Sequence, residues 1–318
     1  GEGADKMMTM EIINIDTTQE SRFKTALALG NFDGVHIGHQ QLIENMIEFA
    51  AKTFTQPSML IFENHTKSFV YGNGPRLLNI NSQKNEFLEK LGIRTLYTMR
   101  FDDRVMTLSP EDFIKKILIK KLNCALVVVG PDYRFGFKAS GNVEMLKQIG
   151  KRIGLEVQVV EPVYYKDEIV SSTLVRKLLS EGNIKDANRL LGRPFGIVGE
   201  VVNGKGLGKK LGVPTANIKP AGKYVIPKKG VYRTITRVNG RYYPSATNIG
   251  INPTFSEHDI KVETHILDFS QAIYGLEIEV FFMEYIRAEI KFEVVDDLRI
   301  KMEEDIAYVR SKSNLQLI

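Results

Sequence analysis

The rhythm of hydrophobic and polar positions changes near Leu190. Before it, short β-branched or apolar runs alternate with amphipathic stretches, the pattern of a parallel sheet wound with helices. Strands are predicted over 25–29, 59–62, 94–99, 126–129 and 155–160. Leu42, Ile43, Met46, Ile47 and Ala50 recur at helical spacing, and further helices are predicted over 83–91 and 143–152. Ser109-Pro110-Glu111-Asp112 supplies another helix start, with a serine N-cap, proline at the first helical position and acids that complement the dipole. From Phe195 onward, strand-like runs are separated by turn residues at short intervals. Val238-Asn239-Gly240-Arg241 sets Asn-Gly between two of them, the signal of a type I′ hairpin. This half is predicted to be a small antiparallel barrel. Over 292–312 helical periodicity returns through Val295, Leu298, Met302, Ile306 and Val309, so a last helix should pack on the barrel.

Composition adds limits. The chain has 318 residues, 43% hydrophobic and 25% charged, which suits two globular domains. Its single cysteine, Cys124, has no partner for an internal disulfide, so a reducing, cytoplasmic setting is expected. The longest strongly apolar run, around 125–129, is too short to span a bilayer, and no signal-peptide pattern precedes it. Residues 1–6 read as an expression leader, with Met7, Met8 or Met10 as the natural start. The net charge of +5 suits anionic ligands but is spread along the chain, and Lys115, Lys116, Lys120 and Lys121 read as solvated helix surface. Neither a nucleic acid nor a membrane is expected as a partner.

Candidate chemistry begins at Gly30-Asn31-Phe32-Asp33-Gly34-Val35-His36-Ile37-Gly38-His39, where a buried strand gives way to a helix. Ligands of parallel α/β sheets bind at the carboxyl ends of strands, and the N–H groups of a helix start attract phosphate. Glycines 30, 34 and 38 would let backbone approach a triphosphate, and His36 and His39 could donate hydrogen bonds as charge develops at phosphorus. Read alone, the two histidines also serve as a helix cap or as metal ligands. No cysteine or third histidine lies at ligand spacing, which leaves a zinc site little support.

The complete segment resembles the Gly-x-Phe-Asp-Gly-x-His-x-Gly-His motif of the FAD synthetases, and five further segments resemble the bacterial bifunctional riboflavin kinase/FAD synthetase family in the same order. Ser171-Ser172-Thr173-Leu174-Val175-Arg176 matches a segment that closes over ATP phosphates. Gly130-Pro131-Asp132-Tyr133-Arg134-Phe135-Gly136 is similar to one associated with nucleotide and flavin. The stretch 199–217, with Gly204, Gly206, Gly208, Lys209, Gly212 and the core Pro214-Thr215-Ala216-Asn217, resembles the nucleotide loop of riboflavin kinases. Asn248-Ile249-Gly250-Ile251-Asn252-Pro253-Thr254-Phe255 and 262–269 continue that likeness.

The resemblance implies an α/β nucleotidyltransferase domain over 8–188 with a Rossmann-like parallel sheet. A riboflavin kinase domain over 189–318 would follow, an antiparallel β-barrel with a C-terminal helix. It implies His36, His39, Arg176 and Glu263 as catalytic residues, Glu263 as the kinase base. It implies Gly30, Phe32, Asp33, Gly34, Gly38, Ser171, Ser172 and Thr173 at ATP, and His65, Asp132, Tyr133, Arg134 and Phe135 at the flavin. In the kinase half, Gly204, Gly206, Gly208, Lys209, Gly212 and Pro214 would bind nucleotide, and Thr215 and Asn217 would hold Mg2+. ATP is the implied co-substrate, with riboflavin, FMN and FAD as substrate or product; FMN would pass between the sites by release or by transfer between neighbouring subunits.

The sequence departs from the family pattern at Asn64 and Thr66, which replace prolines flanking His65, and at Asn142, which replaces an acid. Lys209 stands for arginine, Val213 for phenylalanine, and Ala272-Ile273-Tyr274-Gly275 for Asp-Leu-Tyr-Gly. Lysine keeps the charge but loses the planar fork. A monofunctional FAD synthetase with a silent barrel is therefore one rival. A flavin-responsive binding protein without turnover is another, and a synthetase-like transferase acting on RNA lacks a visible basic RNA-binding domain.

Overall fold

A computed structural model describes residues 9–16, 20–63, 74–204, 206–251 and 260–312. The chain forms two compact units: Gly1–Pro75 with Asn81–Val170, and Arg76–Ile80 with Ser171–Ile318.

The first unit is built on a six-stranded sheet, β1 (Glu11–Asn14), β2 (Thr25–Ala28), β3 (Gln56–Phe62), β4 (Thr95–Met99), β5 (Cys124–Val129) and β6 (Glu156–Val159), in the order β1-β4-β3-β2-β5-β6. Every pairing is parallel. β2 lies at the centre, fully buried along its length, because helices cover both faces of such a sheet. Leu42, Ile43, Met46 and Ala50 of α1 (Ile37–Thr53) bury against one face, as their spacing predicts. α2 (Asn81–Leu91) inserts Leu88 into the same core, and α3 (Val143–Ile153) packs Leu146 and Ile149 on the other side. Asn142 caps α3, its side chain accepting from Met145 N at 2.9 Å. β7 (Tyr164–Tyr165) and β8 (Glu168–Ile169) form a small antiparallel pair.

Three elements differ from the sequence expectation. β1 was not foreseen: it is a short edge strand with exposed and half-buried residues, its Ile12-Ile13 pair bounded by Glu11 and Asn14. The helix started by Ser109, whose hydroxyl accepts from Asp112 N at 3.1 Å, continues over Phe113–Lys121 as a π-helix. In α6 (Val295–Ser311) Val309 is buried as expected, but Val295 is 60% exposed and Asp305 is only 6% exposed. Asp305 is buried because Arg287 grips its carboxylate, with Nη2–Oδ2 at 2.7 Å.

The second unit carries α4 (Ser172–Ser180), α5 (Ile184–Leu191) and a closed barrel. Its strands are β9 (Phe195–Val202), β10 (Ala216–Pro220), β11 (Gly230–Val238), β12 (Arg241–Ile251), β13 (Ile260–Ile266) and β14 (Glu277–Arg287), ordered β10-β13-β12-β11-β14-β9, with β9 closing onto β10. All pairs are antiparallel. Asn239 and Gly240 both have positive φ, 49° and 75°, which is the type I′ geometry the Asn-Gly pair predicts. Inside the barrel Phe282 packs edge to face with Tyr232 and tilted at 43° against Phe195, beside a chain of buried hydroxyls. Thr234 Oγ1 meets Ser245 Oγ at 2.7 Å and Thr247 Oγ1 at 2.8 Å; Ser245 also meets Thr236 at 2.7 Å, and Thr247 meets Thr264 at 2.9 Å. Buried hydroxyls are tolerated because each finds another.

Candidate active site

In the first unit β2 ends in a tight turn. Phe32, Gly34 and Val35 have φ of 50°, 76° and 45°, and for β-branched Val35 that conformation is strained. Gln40 pins it, donating from Nε2 to Val35 O at 2.8 Å. His36 is the N-cap of α1, and its Nδ1 accepts from His39 N at 3.4 Å. An accepting Nδ1 leaves the His36 proton on Nε2, where it can be donated. The two imidazoles stack with centroids 3.6 Å apart and planes 16° from parallel, and Phe32 lies 5.3 Å from His39. Gly38 permits the stack: a Cβ there would lie 3.0 Å from His36 Cε1. Gly30 has only ordinary clearance from the Phe32 ring. Two histidine rings at the positive end of a 17-residue helix form a site suited to an anion.

One residue near this turn was missed by the sequence reading. Lys84, in the first turn of α2, has its ammonium pKa lowered by burial, an effect opposed by the Asp33 carboxylate. A half-buried lysine in a polar helix turn carries no sequence mark of its position. Beyond β5, Phe135 is buried in the core, Tyr133 stacks on it at 5.6 Å, and Asp132 and Arg134 are exposed at the surface of the same loop. His65, with Asn64 and Thr66, lies outside the described residues.

In the second unit Ser171 is the N-cap of α4, its hydroxyl accepting from Leu174 N at 3.1 Å, with Ser172 and Thr173 in the first turn. Arg176 Nε donates to Arg76 O at 2.9 Å, which fixes the plane of the guanidinium. The segment 76–80 is held in turn by a bridge to 223–225: Leu77 N donates to Lys223 O and Val225 N to Leu77 O, each at 2.8 Å. Arg76 Nη1 donates to Tyr224 O at 3.2 Å. The motif marks Arg176, but only the tertiary structure shows what orients it.

The barrel assembles a second group on its outer face. Val262, Thr264 and Ile266 of β13 point inward, so Lys261, Glu263 and His265 point outward. The register pairs Asn217 with Glu263 and Asn248 with Glu263, and directly paired residues share a face, so the three side chains form one row. Thr215, two residues before Asn217, lies toward the loop. Lys261 Nζ stands 3.0 Å from Glu263 Oε1, and His265 Nδ1 bonds Pro214 O at 2.7 Å. Lys261 and Asn248 were not foreseen as site residues, because their closeness to Glu263 depends on strand phase and register.

Gly204 supports Asn217 closely: a Cβ at 204 would fall 1.7 Å from Asn217 Nδ2. A Cβ at Gly208 would fall 2.3 Å from Val213 O, while Gly206 and Gly212 have φ of 65° and 75°. Between them Leu207–Lys210 makes one helical turn, with Lys209 exposed. Val213 is buried at 5% exposure. The hydroxyl and carboxamide oxygens of Thr215 and Asn217 are hard neutral donors of the kind magnesium takes alongside nucleotide phosphates. Among the described residues no group of three or more His, Cys, Asp or Glu side chains could hold a metal ion.

A doubly wound α/β unit with a helix-start histidine pair, joined to a six-stranded barrel with a carboxylate and glycine loop on its outer face, defines a two-site nucleotide-dependent transferase class. The family model for FAD synthetase matches residues 18–174, and that for riboflavin kinase matches 191–313. The chain is 36% identical over 309 residues to the bifunctional riboflavin kinase/FMN adenylyltransferase of Buchnera aphidicola from Schizaphis graminum, covering 96% of this chain and 99% of that one. It is 35% identical over 291 residues to the protein of that description from Haemophilus influenzae, covering 91% and 94%. A crystal structure described as a macrolide-efflux protein from Streptococcus pneumoniae is 30% identical with a TM-score of 0.87, covering 95% of this chain and 99% of that one. The chain belongs to the bifunctional riboflavin kinase/FMN adenylyltransferase family. No helix among the described residues is long and apolar enough to cross a membrane.

Proposed function

We propose that this chain phosphorylates riboflavin to FMN in its barrel and adenylylates FMN to FAD in a site built on its α/β half, using one ATP for each step. The observation that carries the kinase step is the register that sets Glu263 beside Asn217 on the outer face. Glu263 takes the proton of the terminal ribityl hydroxyl as that oxygen bonds the γ-phosphorus of ATP and the bond to ADP breaks. Gly204, Gly206, Gly208, Lys209, Gly212 and Pro214 bind the nucleotide. Thr215 and Asn217 would hold Mg2+, which neutralises phosphate charge.

In the second step an FMN phosphate oxygen attacks the α-phosphorus of ATP and pyrophosphate leaves. His36 and His39 donate hydrogen bonds to the charge that develops there, without a covalent intermediate. Gly30, Phe32, Asp33, Gly34 and Gly38 bind ATP with Ser171, Ser172 and Thr173, and Arg176 takes the leaving pyrophosphate. His65, Asp132, Tyr133, Arg134 and Phe135 serve the flavin. The functional division is proposed as 8–188 for adenylyl transfer and 189–318 for the kinase, which keeps α4 with the first activity although it packs in the second unit. Action in the cytoplasm, without membrane or nucleic acid, fits these ligands.

The test incubates the protein with riboflavin, ATP and magnesium, follows FMN and FAD by chromatography, and repeats the reaction from FMN. FMN should appear first and FAD later. Glu263→Gln should abolish FMN formation while sparing FMN-to-FAD conversion; His39→Ala should lower FAD formation about 100-fold while sparing FMN. FAD made from FMN with riboflavin untouched would refute the kinase step, and equal loss of both activities in either variant would refute two separate sites.

A further inference from the structure

Asn248 lies on β12 in the outer row that the register builds from Asn217, Glu263 and Asn248. Its neighbours Thr247 and Ile249 point inward and are fully buried. Asn248 Oδ1 is shut off from solvent and has no hydrogen-bond partner among the described residues. An acceptor buried without a donor destabilises the folded chain, and the same barrel links its inner hydroxyls without such a loss. A leucine would fill similar volume without that penalty, so the carboxamide at this position calls for a reason beyond packing.

The chemistry of the unmet atom narrows what it would bind. A carboxylate only accepts, so Glu263 cannot satisfy Oδ1, and its own ion pair is with Lys261. Phosphate oxygens accept as well, which excludes the triphosphate. To hydrogen-bond this oxygen, a ligand must present a donor beside the group that Glu263 deprotonates. Directly opposed residues have Cβ atoms about 4.5–5.5 Å apart, a span that hydroxyls along one polyol chain can bridge.

We propose that Asn248 is a substrate-binding residue of the kinase site, its Oδ1 accepting a hydrogen bond from a ribityl hydroxyl next to the one that Glu263 deprotonates. This rests on the kinase reading above. In the free protein the unmet acceptor is a cost, and binding of the polyol removes it. Asn248 thus selects flavins by their sugar alcohol chain, while Glu263 acts on its terminal oxygen.

The experiment compares the full chain with Asn248→Leu, which removes the acceptor and keeps the volume, and with Asn248→Ala. Riboflavin affinity is read directly from quenching of its fluorescence, alongside KM for riboflavin, KM for ATP at fixed magnesium, and Tm without ligand. The expected result is a riboflavin Kd and KM about tenfold higher in both variants, with KM for ATP and FMN-to-FAD conversion unchanged. Tm of the leucine variant should be equal to or above that of the parent. Unchanged riboflavin affinity with a lowered Tm would assign Asn248 to structure and overturn the proposal, as would a change confined to ATP or magnesium dependence. A parent that binds riboflavin without phosphorylating it would sink the kinase reading alone, because the quenching comparison still reads the contact.

Discussion

Gly204→Ala isolates the geometry on which the kinase site depends. The new methyl carbon would sit 1.7 Å from Asn217 Nδ2 and 2.3 Å from Cγ, where van der Waals contact needs about 3.5 Å. The carboxamide must retreat by roughly 2 Å, which takes its oxygen out of the row shared with Glu263. Misplacing a positioning group by about 1 Å costs on the order of 100-fold in rate, so riboflavin phosphorylation should fall at least that far. Overpacking of this kind typically costs about 1–3 kcal/mol, and Asn217 is only half buried with room to yield, so the chain should stay folded. The assay is FMN formation from riboflavin and ATP by chromatography, with FMN-to-FAD conversion from the same preparation as the control. A variant that keeps kinase turnover within about threefold of the parent, with a normal melting curve, would show that Asn217 is not needed where Gly204 holds it.

Thr234→Val keeps the shape of the barrel interior but strips Ser245 and Thr247 of a shared partner. It should cost about 1–3 kcal/mol, read as a lower midpoint in urea unfolding; an unchanged midpoint would mean the remaining hydroxyls re-pair. Arg176→Lys loses the Nε bond to Arg76 O and the planar fork, so KM for ATP in FAD formation should rise about tenfold while riboflavin phosphorylation holds. Loss of both activities together would instead give Arg176 a general structural role. Burial raises the Cys124 thiol to about 12, so at pH 8 a thiol reagent should leave the native chain unlabelled and modify it only on unfolding. Because the folded pKa lies above the ordinary value of 9.0, the stabilisation tied to the neutral thiol is complete below pH 9 and is lost as pH rises toward 12. Native labelling at pH 8 would contradict that burial.

The sequence by itself determined the two-part architecture, because the two periodicities, near 2 and near 3.6, are local properties of the chain. It placed the inner strands, the helix starts at Ser109 and Ile37, and the Asn239-Gly240 turn, whose positive φ angles only such residues adopt readily. It also marked the histidine loop and the Pro214–Asn217 core, since those letters are unusual in that order. β1 was passed over because its apolar run is only the Ile12-Ile13 pair between polar residues, and the inward turn of Asp305 was invisible because its reason, Arg287, lies on β14, a separate element.

Tertiary structure alone decided which groups meet. Glu263 stands beside Asn217 and Asn248 through barrel register, a one-residue slip of which would turn every side chain to the opposite face. Arg176 is aimed by the carbonyl of Arg76, 100 residues away along the chain, and Lys84 is half-buried within reach of the Asp33 charge by helix packing. Periodicity records which face of an element is wet; it holds no record of which strand lies alongside.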